Sequence, residues 1–119
     1  MRILFVDDDP NMHRLVRLMF RNSPYKLETV SAARIALHKL NNNDFDLIIS
    51  DLQMPEMDGI TFLKELRAAN HKQKVIIMSA FGLKQMTDVA LANGASLILE
   101  KPFHKDQLFK AIARISKEI

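Results

Sequence analysis

The sequence predicts a doubly wound α/β fold, an open parallel sheet with helices on both faces, and three observations predict it. Four short runs, Ile3–Val6, Leu47–Ile49, Val75–Met78 and Leu97–Leu99, are continuously apolar rather than alternating, the mark of strands covered on both faces. Stretches with helical spacing separate the runs, so that strand and helix alternate five times. The length, 119 residues, suits one core and excludes a two-domain enzyme, so residues 1–119 are expected to form a single domain.

Ile3–Val6 is the first strand, and the three aspartates that follow it at once rule out reading it as a secretory leader. Asp9-Pro10 starts the first helix, because the aspartate can cap and proline at the first turn lacks only an N–H that would be unpaired anyway. Leu15, Val16, Leu18 and Met19 are its apolar positions. Leu27–Val30 is a weaker strand, and Ser31 is placed to cap the second helix, whose apolar positions are Ile35, Ala36, Leu37 and Leu40. Asn41-Asn42-Asn43 should end that helix, since Asn tolerates left-handed dihedrals. The third helix carries Ile60, Phe62, Leu63 and Leu66, and the fourth Met86, Val89, Ala90 and Leu91, closed by Asn93-Gly94. Leu108, Ala111, Ile112 and Ile115 mark the fifth. Right-handed crossovers then give the doubly wound arrangement.

Apolar types make up 48% and charged types 26%, values of an ordinary globular chain rather than a disordered one. The absence of cysteine removes disulfides, zinc fingers, iron–sulfur clusters and thiol nucleophiles, and it fits a reducing, cytoplasmic location. No apolar run approaches the length of a membrane span. The 17 basic and 14 acidic residues leave a net charge of +3, read as a solvated basic face and not as a nucleic-acid surface.

In a doubly wound sheet ligands bind beyond the carboxyl ends of the strands. The residues there are Asp7, Asp8 and Asp9 after the first run, Asp51 after the third, Ser79 after the fourth and Lys101 after the fifth. One aspartate at a strand end is usually a turn former; polar groups from four strands on one rim are not so easily dismissed. If Asp7, Asp8 and Asp51 converge to ~4 Å, each like-charge pair costs roughly 4 kcal/mol at an effective dielectric of ~20, comparable in sum to a domain's whole stability. A divalent cation with oxygen ligands, Mg²⁺ above all, would offset this, as would the Lys101 ammonium, or one carboxylate could stay protonated. Carboxylate, metal, hydroxyl and ammonium form a phosphoryl-transfer set whose product is an aspartyl phosphate.

These motifs, Ile3-Leu4-Phe5-Val6-Asp7-Asp8-Asp9-Pro10, Asp51-Leu52-Gln53-Met54-Pro55-Glu56-Met57-Asp58-Gly59, Ser79-Ala80 and Lys101-Pro102-Phe103, resemble the receiver domain of two-component response regulators along essentially the whole chain. The resemblance implies a flavodoxin-like sheet of five parallel strands in order 2-1-3-4-5 with five helices, and a signalling domain rather than an enzyme. It makes Asp51 the phosphoacceptor, charged by a sensor histidine kinase or phosphotransfer protein. By the same resemblance Asp8 and Asp51 bind Mg²⁺ directly, Asp7 acts mainly through metal-bound water, and Gln53 adds its backbone carbonyl. Lys101 and Ser79 hold phosphoryl oxygens, and Lys101-Pro102 is a cis peptide. The output is expected through a downstream protein target or output domain, none of which lies in this chain, and a homodimer through helix 4, strand 5 and helix 5 is compatible with it. No direct nucleic-acid or membrane contact is implied.

Two positions depart from the pattern. Ile98 stands where the family usually carries an aromatic that rotates inward, and Ser79 replaces the commoner Thr, so the switch pair is Ser79 and Ile98. Gln53 and Phe81 occupy the positions where the family tunes hydrolysis of the acyl phosphate. His13, His38, His71 and His104 lack metal-ligand spacing and are read as surface or packing residues. Arg14, Arg17 and Arg21 lie on the first helix, where a kinase phosphotransfer domain would dock by family analogy, a solvated helix face being the equal alternative. Two rivals remain: a haloacid-dehalogenase-type phosphatase, a family that needs a cap or flap and further acidic site residues late in the chain, where this sequence has an ordinary amphipathic helix, and a phosphate-independent binding module, in which mutually repelling acids would be costly to retain.

Overall fold

The computed structural model describes residues 1–119 and runs β1 (Arg2–Val6), α1 (Pro10–Met19), β2 (Lys26–Val30), α2 (Ala33–Leu40), β3 (Leu47–Asp51), α3 (Gly59–Ala68), β4 (Lys74–Ala80), α4 (Lys84–Ala92), β5 (Leu97–Lys101) and α5 (Lys105–Ser116). All five strands are parallel, in the order β2-β1-β3-β4-β5. The chain therefore reverses its direction of travel across the sheet between β1 and β3, which places a crevice at their carboxyl ends.

Alternate residues of each strand feed two cores, as the pleat requires. Leu4, Val6, Ile48, Val75 and Ile77 pack under residues of α2, α3 and α4, whereas Ile3, Phe5, Leu47, Ile49, Ile76 and Met78 pack under α1 and α5. No helix is long and apolar enough to cross a membrane.

Several boundaries follow their sequence signals. Asp9 caps α1, its side chain accepting from the Asn11 N–H at 2.9 Å, with Pro10 in the first turn. Asp58 caps α3 by accepting from the Thr61 N–H at 2.8 Å, and Gly94 follows α4 at φ 105°.

Other expectations are corrected. Ser31 does not cap α2: Ala32 is the N-cap, and no side chain bonds to the helix start. Asn41 ends α2 in a right-handed conformation, and the left-handed asparagines are Asn22 and Asn70, after α1 and α3. A further turn of right-handed backbone closes α2 without the left-handed residue that Asn can supply elsewhere. Of the four apolar positions read on α1, only Val16 is buried, while Leu15 and Leu18 are 44% and 52% exposed. Val16 and Phe20, one turn apart, face the sheet, so Leu15 and Leu18 fall on the outer side.

Gly59 fixes how α3 leaves the crevice. Its N–H donates to the Leu52 carbonyl at 2.8 Å, and a Cβ there would lie 2.7 Å from the Asp51 carbonyl oxygen and 2.9 Å from the Leu52 Cα. Both obstacles are backbone, so Gly59→Ala must push α3 away from β3. A loss of about 2 kcal/mol in urea unfolding is expected, within the range for overpacking a tight site; unchanged stability would show that the loop yields freely.

Candidate functional site

Strand register brings the polar residues together. Val6 pairs with Ser50, so the residues that follow, Asp7 and Asp51, emerge side by side from adjacent strands. Asp51 pairs with Met78, which puts Ser79 one step further out on β4, and Ala80 pairs with Lys101 on β5. Carboxylate oxygens of Asp7, Asp8 and Asp51 lie within 4.8 Å of one another. Asp7 is fully buried and Asp51 is 8% exposed, whereas Asp8 faces solvent.

Lys101, on the strand two places from β3, spans this gap. Its Nζ is 3.3 Å from Asp7 Oδ2 and 3.2 Å from Asp51 Oδ1, with about three quarters of the side chain buried. The ammonium carries one positive charge against three carboxylates, so the cluster as it stands is under-compensated. Burial raises the Asp51 carboxyl above the usual carboxylate range; Lys101 pulls it back down, and Asp7 pushes it up again. An all-oxygen set of this density suits a hard divalent cation, which would add the missing positive charge.

The other expected residues take up their places more loosely. Asp9 is the α1 cap and its N–H donates to Asp7 Oδ1 at 2.9 Å, tying the loop to the buried carboxylate. Gln53 is exposed two residues beyond Asp51. Ser79 is buried, but its hydroxyl donates to the Ala80 carbonyl at 3.3 Å rather than to the acids. Ile98 is half-buried against the core beneath α4 and shares with Ser79, Phe81, Leu83, Thr87 and Glu100 the wall of a cavity of about 220 Å³. Lys101-Pro102 is cis.

The Response regulator receiver domain family matches residues 3–113. The chain belongs to the response regulator receiver domain family. It is 34% identical over 112 residues to the chemotaxis protein CheY of Bacillus subtilis, covering 93% of each. It is also 36% identical over 110 residues to the transcriptional regulatory protein GlrR of Escherichia coli K12, covering 92% of this chain and 25% of that one. The chain thus spans about a quarter of the length of the transcriptional regulators it matches. The receiver domain of the Francisella response regulator 1452 superposes with a TM-score of 0.90 at 31% identity, over 98% of this chain and 97% of that one. Receiver domains are signalling domains of two-component systems that interact with histidine kinases and with downstream output domains, and the five-stranded fold read from the sequence is the one this family has.

One neighbour of this receiver site was missed by the sequence reading. His13 packs edge-on against Phe5, as expected of a packing residue, and in addition hydrogen-bonds through Nε2 to the Asp7 backbone carbonyl. A signal existed: His13 sits in the first turn of a helix whose side chains lean toward its N-terminus, back over the aspartates.

Proposed function

We propose that this receiver domain accepts a phosphoryl group on Asp51, in a reaction that depends on Mg²⁺, from the phosphohistidine of a sensor histidine kinase or phosphotransfer protein. The observation that carries the reading is the Lys101 ammonium bridging Asp7 and Asp51 inside a three-carboxylate cluster. Asp7, Asp8 and Asp51, with the Gln53 backbone carbonyl, would hold the cation, whose charge, when bound, draws electron density from phosphoryl oxygens. The Asp51 carboxylate attacks phosphorus, an O–P bond forms as the N–P bond breaks, and the imidazole departs with the electron pair and takes up a proton from water. Lys101 turns from Asp51 to an equatorial phosphoryl oxygen, and Ser79 gives up its bond to Ala80 to donate to another. That movement of Ser79 would reach the cavity beside Ile98 and the face of α4, β5 and α5, where a downstream target, an output domain or a second copy is recognised. With Ile98 in place of an aromatic, the change is carried by the backbone around Ser79 and α4 and not by a swinging ring.

Mg²⁺ tests the reading directly. The melting temperature should rise with Mg²⁺ concentration by mass action, equivalent to about 2.7 kcal/mol at a hundred times the dissociation constant, and Asp8→Ala should abolish the rise. A wild-type protein indifferent to Mg²⁺ would contradict it.

Phe81 is 82% exposed at the end of β4, two residues beyond Ser79. Its bulk is expected to hinder the water that attacks the acyl phosphate. Loss of radiolabel from the phosphorylated protein should be slower in wild type than in Phe81→Ala; equal or reversed rates would remove Phe81 from this role.

A further inference from the structure

We propose that His13 is a positioning residue that sets the Mg²⁺ affinity of the domain by holding the peptide plane between Asp7 and Asp8. The inference rests on the metal reading above and extends it to a residue outside the acidic cluster.

Asp7 is fixed on every side. Its N–H donates to the Val30 carbonyl at 3.1 Å, its Oδ1 accepts from the Asp9 N–H at 2.9 Å, and its Oδ2 faces Lys101 at 3.3 Å. Its carbonyl accepts from His13 Nε2. A carbonyl can only accept, so Nε2 carries the hydrogen. The ring itself is fixed, standing edge-on to the buried Phe5 at 6.1 Å between centroids and 82° between planes.

Asp8 is different. Its side chain is exposed and makes neither a hydrogen bond nor an ion pair, so its position depends on the backbone that carries it. That backbone is the peptide whose carbonyl His13 holds. The bond also ties the first turn of α1 to the strand end, at the point where three negative charges would otherwise drive the loop outward. Groups that orient metal ligands without touching the metal typically alter affinity by about 10- to 100-fold.

The test is the Mg²⁺ dependence of the melting temperature, with calorimetric titration of Mg²⁺, for wild type, His13→Ala, His13→Phe and His13→Gln, each also melted in chelator. His13→Phe keeps an aromatic ring near Phe5 but has no donor, and His13→Gln keeps a donor at comparable reach. The expected result is about ten-fold weaker Mg²⁺ binding in His13→Ala and His13→Phe, and recovery of most of that loss in His13→Gln. Wild-type affinity in His13→Phe, or a loss in His13→Gln as large as in His13→Ala, would overturn the proposal, because the hydrogen bond would then not be the cause. If His13→Ala is too unstable to melt cooperatively in chelator, His13→Phe and His13→Gln decide the outcome. Failure of wild type itself to bind Mg²⁺ would instead sink the metal reading, which keeps the two failures apart.

Discussion

Asp51→Asn is expected to take up no phosphoryl group from acetyl phosphate and Mg²⁺, whereas the wild type gains the mass of one. The amide keeps the shape of the carboxylate but loses its nucleophilicity, so the rate should fall by about three orders of magnitude or more. Intact-mass spectrometry over a time course reads it, and labelling of the variant at the wild-type rate would move the acceptor elsewhere. Acetyl phosphate makes the experiment independent of any partner. The same substitution has a second consequence in chelator. Burial raises the Asp51 carboxyl in the folded state, so the fold binds that proton more tightly than the unfolded chain does. The stability it contributes is present below the unfolded carboxyl value and is lost as pH rises through the raised folded value. Asp51→Asn should remove that component, leaving the metal-free variant more stable than wild type at neutral pH, as urea midpoints across a pH series will show.

Lys101→Met should have the opposite effect on the metal-free protein. It leaves the fully buried Asp7 and the nearly buried Asp51 facing each other without a cation. Removing one partner of a buried pair costs about 3 kcal/mol or more, because the remaining charge keeps its desolvation penalty. Protonation of Asp51 limits the loss, so the variant's stability should fall more steeply than that of wild type as pH rises. Mg²⁺ should restore part of it by supplying positive charge to the same carboxylates. Urea unfolding with chelator and with Mg²⁺ measures both effects; an unchanged midpoint in chelator would mean that Lys101 is no counter-ion to the cluster.

These two variants press on the cluster from opposite sides, one removing a negative charge and the other the positive one. If the acids and the lysine form one electrostatic unit, combining the substitutions should recover much of the stability lost in Lys101→Met alone. Additive effects would argue that the ammonium and Asp51 act independently.

Four of the five strands and the polar rim were legible in the sequence, because an apolar run covered on both faces and a polar residue at its end are local signals, whereas the weaker β2 lacks such a run and the strand order came from the resemblance of the motifs. So were the Asp9 cap of α1 and the Gly94 end of α4, each set by one residue and its immediate neighbours. Which face of α1 is buried was not, since Leu15 and Val16 are equally apolar and only packing against the sheet decides that Val16 goes in. Nor was the cap of α2, where the chain's path from β2 leaves Ser31 outside and makes Ala32 the boundary. Distances belong to the same class: the 3.2 and 3.3 Å approaches of Lys101, the close contact at Gly59 and the hydrogen bond of His13 all depend on strand register and helix placement. Residue type alone determined which chemical groups this protein carries to the rim. Tertiary structure decided how near they come, because the charge interactions among them depend on separation and burial, which are set by contacts between residues far apart in the chain.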